Sequence, residues 1–395
     1  MKQRSKFSIY SMFGLLYFAQ GAVLSYFTAL NAIYLLSFGL SMGQIGLISG
    51  IALTPFILKI FLGILSDRIS LFQLGHRKPY IVLGLLMQAV CLLIVPFINP
   101  GEQFIQYGVI AFLVMTGMAL YDTTTDGLAL DITPSDEAGK IQGIMVGGRA
   151  MGVVVLSSLI GILAQQVSWL AAFWLLALLT LLPLVLVIGF REPPRKAEQK
   201  FEWKAFSAFK SWPIIALGLL GALYSLIINA TNEIINPFLQ SNFGISVMVA
   251  GFYTTVWGLG VVLGGVTGGP LTDRIGQRRA VEVALIVSLF SVLVFSITPS
   301  ASLAWPLVFI FGLAFGYYET VYFSISMRKS DPRIAASMFS ILMAIANIGT
   351  GIGLPIAGVM VDGLGYQWTF AIIASLNLLA IPLLPAIFGK KEKMK

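Results

Sequence analysis

Charge is what this sequence has least of: 11% of its 395 residues are Asp, Glu, Lys or Arg, while 57% are hydrophobic. A soluble domain carries about a quarter of its residues charged, so an aqueous globular fold is excluded and lipid is the implied solvent. A single cysteine, Cys91, and a single histidine, His76, leave no material for a disulfide framework or a Cys/His metal cluster. No G-x-x-x-x-G-K-[ST] loop occurs, since Gly139-Lys140 is followed by Ile141, and ATP-driven pumping therefore has no phosphate-binding loop. An enzyme would need a clustered nucleophile and base, to which one histidine in a loop adds little. No cofactor is expected.

What is present is a series of apolar runs of about 20 residues or more, the length an α-helix needs to cross the hydrocarbon core, where only helices and closed barrels satisfy their backbone polar groups. A barrel would show short alternating segments instead. Spans are expected near 9–36, 43–66, 79–98, 104–131, 140–165, 169–190, 212–238, 248–272, 280–298, 302–326, 335–361 and 366–388. The predicted fold class is an all-α membrane protein of twelve transmembrane helices.

An even count puts both termini on one side. With the basic ends Lys2, Arg4, Lys6 and Lys390, Lys391, Lys393, Lys395 placed in the cytoplasm, 23 of the 25 Lys and Arg residues fall in cytoplasmic segments. The other two, Lys59 and Arg149, fall inside spans, so no external loop carries a basic residue. The net charge of +8 then reads as membrane orientation and contact with anionic lipid; nucleic acid is not an expected partner. The apolar run after Lys6 is too long for a signal peptide and reads as helix 1.

The sequence also repeats. Phe38-Gly39-Leu40-Ser41 is echoed by Phe243-Gly244-Ile245-Ser246, and Gly63-Ile-Leu-Ser-Asp67-Arg68 by Gly269-Pro-Leu-Thr-Asp273-Arg274, at offsets of 205 and 206 residues. Near-equal offsets at separated anchors indicate a duplicated six-helix unit with a solute site between the copies. The expected domains are an N-terminal bundle over 1–190, a cytoplasmic linker over 191–211 and a C-terminal bundle over 212–395. In the linker, Lys200, Lys204 and Lys210 alternate with Phe201, Trp203, Phe206 and Phe209, a composition suited to an interfacial helix.

The chain resembles the major facilitator superfamily, whose loop between helices 2 and 3 carries G-x-L-x-D-R followed by G-R-R/K. Here that is Gly63, Leu65, Asp67 and Arg68, then Gly75, His76, Arg77 and Lys78. A degenerate second copy runs Gly269, Leu271, Asp273, Arg274, Gly276, Arg278 and Arg279. The resemblance implies two six-helix halves related by a pseudo-two-fold axis. It also implies that Gly63, Asp67, Arg68, Arg77, Lys78, Asp273, Arg274 and Arg278 form a cytoplasmic gate, to which Asp131 is added from its place at the end of helix 4.

Pro55-Phe-Ile-Leu-Lys59, Leu74-Gly75-His-Arg-Lys-Pro79-Tyr80 and Asp122-Thr-Thr-Thr-Asp126-Gly127 are similar to the branch holding muropeptide permeases, acetyl-CoA transporters and folate-biopterin transporters. A Thr stands where that branch often has Gln before the second Asp, and the chain is short for it, so the substrate stays open.

Ionisable side chains inside a bilayer cost at least about 2.5–3.5 kcal/mol each and mark function. Lys59 lies eight residues before Asp67, well inside the hydrocarbon. Asp122 and Asp126 are i and i+4 on helix 4 and share a face, and depth counting puts Asp122 level with Arg149 on helix 5, so that these two are expected to pair. A structural ion cluster is the alternative. Glu319 sits deep amid Tyr317, Tyr318 and Tyr322, and helix 7 holds a polar run of Asn229, Thr231, Asn232, Glu233 and Asn236 before Pro237. Gln20, Ser25, Tyr26, Thr28 and Asn31 of helix 1 are offered to the same cavity, against a plainer role in interhelical hydrogen bonding. Glycines on helices 5 (147, 148, 152) and 8 (258, 260, 264, 265, 268, 269) read as close-packing positions.

The expected function is secondary active transport by alternating access, with proton or other ion coupling and a small, anionic organic substrate favoured by Lys59 and Arg149. The expected site is Lys59, Asp122, Asp126, Arg149, Asn232, Glu233, Tyr318 and Glu319. A drug-type exporter and a non-transporting assembly factor remain open. The former lacks its usual G-x-x-x-G-P, since Gly148-Arg149-Ala-Met-Gly152 continues with Val153. A monomer in a bacterial inner membrane, with cytoplasmic termini, is expected. In a Cys91→Ser background, Glu102→Cys is expected to react with an impermeant maleimide in intact cells and Ser135→Cys only after permeabilisation; the reverse pattern would invert the topology.

Overall fold

The computed structural model describes residues 6–28, 30–69, 71, 75, 77–132, 138–192, 209–329 and 335–389. Among them there are helices and connecting turns and no strand. In chain order the helices are α1 (Lys6–Phe27), α2 (Asn31–Leu36), α3 (Met42–Ile57), α4 (Lys59–Arg68), α5 (Lys78–Ile94), α6 (Phe104–Ile132), α7 (Ala138–Gln166) and α8 (Trp169–Leu181). They continue as α9 (Leu184–Ile188), α10 (Trp212–Phe243), α11 (Val247–Ile275), α12 (Gln277–Leu293), α13 (Ala301–Lys329), α14 (Ala335–Ser375) and α15 (Leu384–Phe388). Ten stretches are long and apolar enough to cross a membrane. Residues 193–208, and with them most of the expected interfacial helix, lie outside the described residues.

Three local breaks have chemical causes. The expected helix over 43–66 is two helices, α3 and α4: Pro55 lacks an amide hydrogen, and at Leu58 the backbone leaves the helix at φ −82° and ψ 4°, so Lys59 opens a new one. The apolar stretch before it, Met42–Ile57, is too short to count among the ten. Within α14, Gly365 has φ 78° and ψ 169°, open mainly to glycine, and the 48-residue apolar stretch Ile341–Phe388 turns there. Helix 1 is interrupted between α1 and α2, where Tyr26, Asn31 and Tyr107 hydrogen-bond at 3.0–3.4 Å and Tyr34 packs its ring on Trp169 at 4.9 Å.

The chain forms two compact units. One comprises residues 1–40, 51–198 and 246–255, the other 41–50, 199–245 and 256–395. In the first, α1 packs along α7 and α5 along α6; in the second, α10 packs along α14 and α12 along α13.

Small residues set these approaches, because without water between helices van der Waals contact carries association. A β-carbon on Gly84 would lie 2.6 Å from the Gly117 carbonyl oxygen, and one on Gly117 2.7 Å from that of Gly84. Gly148 and Gly152 face the backbone of α1, and Gly260 and Gly264 that of α13, whereas Gly147 and Gly269 face open space.

Gly84→Val is therefore expected to cost roughly 1–3 kcal/mol through overpacking, read as a lower Tm in detergent, while Gly147→Ala leaves Tm unchanged or raised.

Candidate functional site

The α3–α4 break delivers Lys59 to the face of α6 on which Asp122 and Asp126 stand one turn apart. The Lys59 ammonium bonds Asp122 Oδ2 at 2.5 Å and Asp126 Oδ2 at 3.1 Å. Asp122 is buried, its side chain 6% exposed, whereas those of Lys59 and Asp126 keep 31% and 39%. The Tyr17 hydroxyl, from α1, donates to the other oxygen of Asp126. One ammonium is thus shared by two carboxylates, and a phenol holds the more exposed of them.

The expected Asp122–Arg149 pair does not form, because Lys59 takes Asp122 instead. Arg149 is half-buried on α7, near enough for its charge to act on the Tyr17 hydroxyl, and among the described residues no carboxylate pairs with it. Tyr17 is the residue that sequence reasoning missed. It stands three positions before Gln20, on one face of helix 1, and that spacing was the available signal. Gln20 is also buried, with its side-chain oxygen unpartnered among the described residues.

In the second unit the polar run of α10 is spent in two places. Asn229 donates to Ser225 and to Thr350 of α14, at 2.9–3.3 Å. The buried Glu233 carboxylate accepts from the Ser49 hydroxyl at 2.6 Å. Asn232 is half-buried beside it. On α13, Tyr318 is fully buried with its ring 5.0 Å from Tyr224, which also meets Tyr322 at 4.8 Å; the half-buried Glu319 acts electrostatically on the Tyr224 hydroxyl. The Tyr318 hydroxyl has no partner among the described residues. Ser25 and Thr28 each donate to a carbonyl one turn back, Ala22 and Leu24, while Tyr26 and Asn31 join Tyr107 in the cluster described above.

The loop-motif residues form a second polar centre. Arg77 donates from Nε to Asp131 at 3.1 Å and from Nη1 to Ser66 at 2.7 Å, lying where a side chain on Gly127 would stand. Ser66 donates in turn to the Gly63 carbonyl. The Glu192 carboxylate accepts the backbone amides of Arg77 and Lys78, and the Lys78 ammonium bonds the carbonyls of Ile188 and Phe190 at 2.6 and 2.9 Å. The anion therefore caps the start of α5 and the cation the end of α9, both favourable against the helix dipoles. In the second unit Arg328 pairs with Asp273, Arg278 bonds Glu282 and the Gly389 carbonyl, and Arg274 is exposed. The side chains of Asp67 and Arg68, and all of His76, lie outside the described residues.

The chain is 24% identical over 348 residues to the anhydromuropeptide permease of Escherichia coli K12, which covers 81% of this chain and 68% of that one. It is 22% identical to the putative transporter AmpG 1 of Rickettsia conorii over the whole of both chains. The folate-biopterin transporter of Synechocystis is 26% identical over 48% of this chain and 40% of its own. Among solved structures, the nucleoside transporter NupG superposes with a TM-score of 0.80 at 15% identity, covering 98% of this chain and 99% of that one. A bacterial homologue of the lysosomal transporter Spinster, inward-facing and occupied, gives 0.78 at 18% identity over 97% of each chain. The family description Major Facilitator Superfamily matches residues 11–232 and 217–395, which is nearly all of the sequence. This chain is a member of the Major Facilitator Superfamily.

Proposed function

We propose that the protein is a proton-coupled secondary transporter that moves a small anionic organic solute by alternating access. The observation that carries the reading is the Lys59–Asp122–Asp126 cluster with Tyr17 on its open side. Three charges at this depth are costly to retain for packing alone, and a shared ammonium is a switchable one. With both aspartates ionised, Lys59 is fully engaged. A proton taken up by Asp126, the more exposed of the two, removes one of its partners and leaves ammonium charge available to a substrate carboxylate or phosphate. Arg149, half-buried and without a carboxylate partner among the described residues, supplies the second cationic contact. Proton binding and anion binding then favour each other, the requirement for symport.

The frame for this is twelve crossings in two six-helix halves, 1–190 and 212–395. Ten long apolar stretches support it once α3–α4 is taken as one interrupted crossing and Ile341–Phe388 as two joined at Gly365. Cytoplasmic termini, a bacterial inner membrane and a monomeric unit complete the proposal. The names of the similar permeases suggest amide-linked or heteroaromatic acids as first compounds to try.

The test is Tm in detergent against muropeptides, folates, neutral sugars and cationic drugs, since a ligand that binds the folded state raises stability by mass action. An anionic compound at 100 times its Kd is expected to add about 2.7 kcal/mol of stability, and Lys59→Gln or Arg149→Gln to abolish the effect. A response confined to cations would favour the exporter; no response to any class would favour an assembly role.

Without ligand, Lys59→Gln is expected to lower stability by roughly 1–3 kcal/mol, less than for a fully buried pair because the cluster is partly exposed, with Lys59→Arg milder. In proteoliposomes Asp126→Asn should keep solute exchange while losing accumulation driven by a pH gradient. Retained accumulation would remove Asp126 from the proton path.

A further inference from the structure

Within the run Gly349-Thr350-Gly351-Ile352-Gly353 of α14, two glycines set the approach to α10. A β-carbon on Gly349 would strike the Ala222 carbonyl oxygen, and one on Gly353 would come within 2.7 Å of the Leu226 side chain. Backbone meets backbone at this level, so two short side chains can span the gap. Ser225 Oγ and Thr350 Oγ1 lie 2.7 Å apart, and both residues are buried.

Asn229 stands one turn beyond Ser225 and completes the group. Its carboxamide nitrogen donates to the Ser225 carbonyl at 2.9 Å and lies 3.1 Å from Thr350 Oγ1 and 3.3 Å from Ser225 Oγ. A main-chain carbonyl can only accept a hydrogen bond, so the carboxamide atom beside it is the nitrogen, and chemistry fixes which way the amide is turned. The oxygen is left pointing away from the group. It accepts no bond among the described residues, and it is not sealed in as the unpartnered oxygens of Gln20 and Tyr318 are, since Asn229 is half-buried.

Asn229, Glu233 and Asn236 are i, i+4 and i+7 and share a face of α10. An amide oxygen turned to hydrocarbon would go unanswered at a cost lipid does not repay, so this face is expected to meet water or solute. We infer that Asn229 is a specificity-determining residue: its fixed carboxamide oxygen selects acids that also carry a neutral hydrogen-bond donor, an amide N–H or a hydroxyl, over isosteres that lack one. Ser225 and Thr350 are positioning residues, which act by holding the nitrogen so that the oxygen is the atom presented. The inference rests on the proposed anion transport and adds a second, uncharged requirement to the solute.

The test compares acids of equal charge. N-acetylglutamate, N-acetylalanylglutamate and p-aminobenzoylglutamate are each titrated, by Tm of the full chain in detergent, beside the ester in which oxygen replaces the amide N–H. The wild-type chain is expected to bind an amide about tenfold more tightly than its ester, because the ester leaves the Asn229 oxygen facing another acceptor. Asn229→Ala should bring that ratio to within about twofold while leaving ester binding nearly unchanged. Thr350→Val removes one partner of the nitrogen and keeps the Ser225 carbonyl, so the ratio should fall to roughly three- to fivefold. An asparagine that served packing only would weaken amide and ester alike and leave the ratio where it was. Equal affinities in the wild type, or a ratio unmoved by Asn229→Ala, would overturn the inference while leaving the anionic solute intact. No response to any of these acids, muropeptides or folates would overturn the anionic solute and this inference together.

Discussion

An ammonium ion in hydrocarbon has to be answered by an anion, and much of the first unit is arranged around the answer given to Lys59. Its two carboxylates come from one helix, the phenol that steadies Asp126 from another, and the lysine itself from the first turn of a third. Contacts of this kind weaken steeply as their distance and angle drift. That sets a demand for rigid helix spacing, met by glycines that let α5 touch α6 and α1 touch α7 backbone to backbone. Close packing and charge pairing are therefore two parts of one requirement: the first fixes the distance at which the second is favourable.

The second unit is built on another balance. Its deep acids are Glu233 and Glu319. Glu233 is answered by a hydroxyl, and Glu319 lies within electrostatic reach of a tyrosine cluster. Neutral donors satisfy a carboxylate's lone pairs without cancelling its charge, so such groups remain sensitive to what enters the space beside them.

Much of this was legible in the residues. Scarce charge and long apolar runs led to an all-helical membrane fold, and the family follows from motifs that are themselves polar groups in a polar-poor chain. The Lys59, Asp122 and Asp126 positions were visible because charges stand out against lipid. What was not legible were partnerships. Depth counting sees height along a helix but not azimuth, and so it joined Asp122 to Arg149 when Lys59 was nearer. The break at Leu58 was hidden because Pro55 alone permits either a kink or an interruption. Tyr17 and Ser49 escaped notice because a lone hydroxyl in an apolar run is common and usually bonds its own helix, as Ser25 and Thr28 do here.

The break before Lys59 has one more consequence. As the first residue of α4, Lys59 sits at the positive end of that helix's dipole, where a cation is disfavoured by about 0.3–1 kcal/mol. Its own helix therefore pushes the ammonium outward, and the aspartates alone hold it in. The interruption thus sets the shared ammonium where its hold comes from the carboxylates of a neighbouring helix, against the dipole of its own.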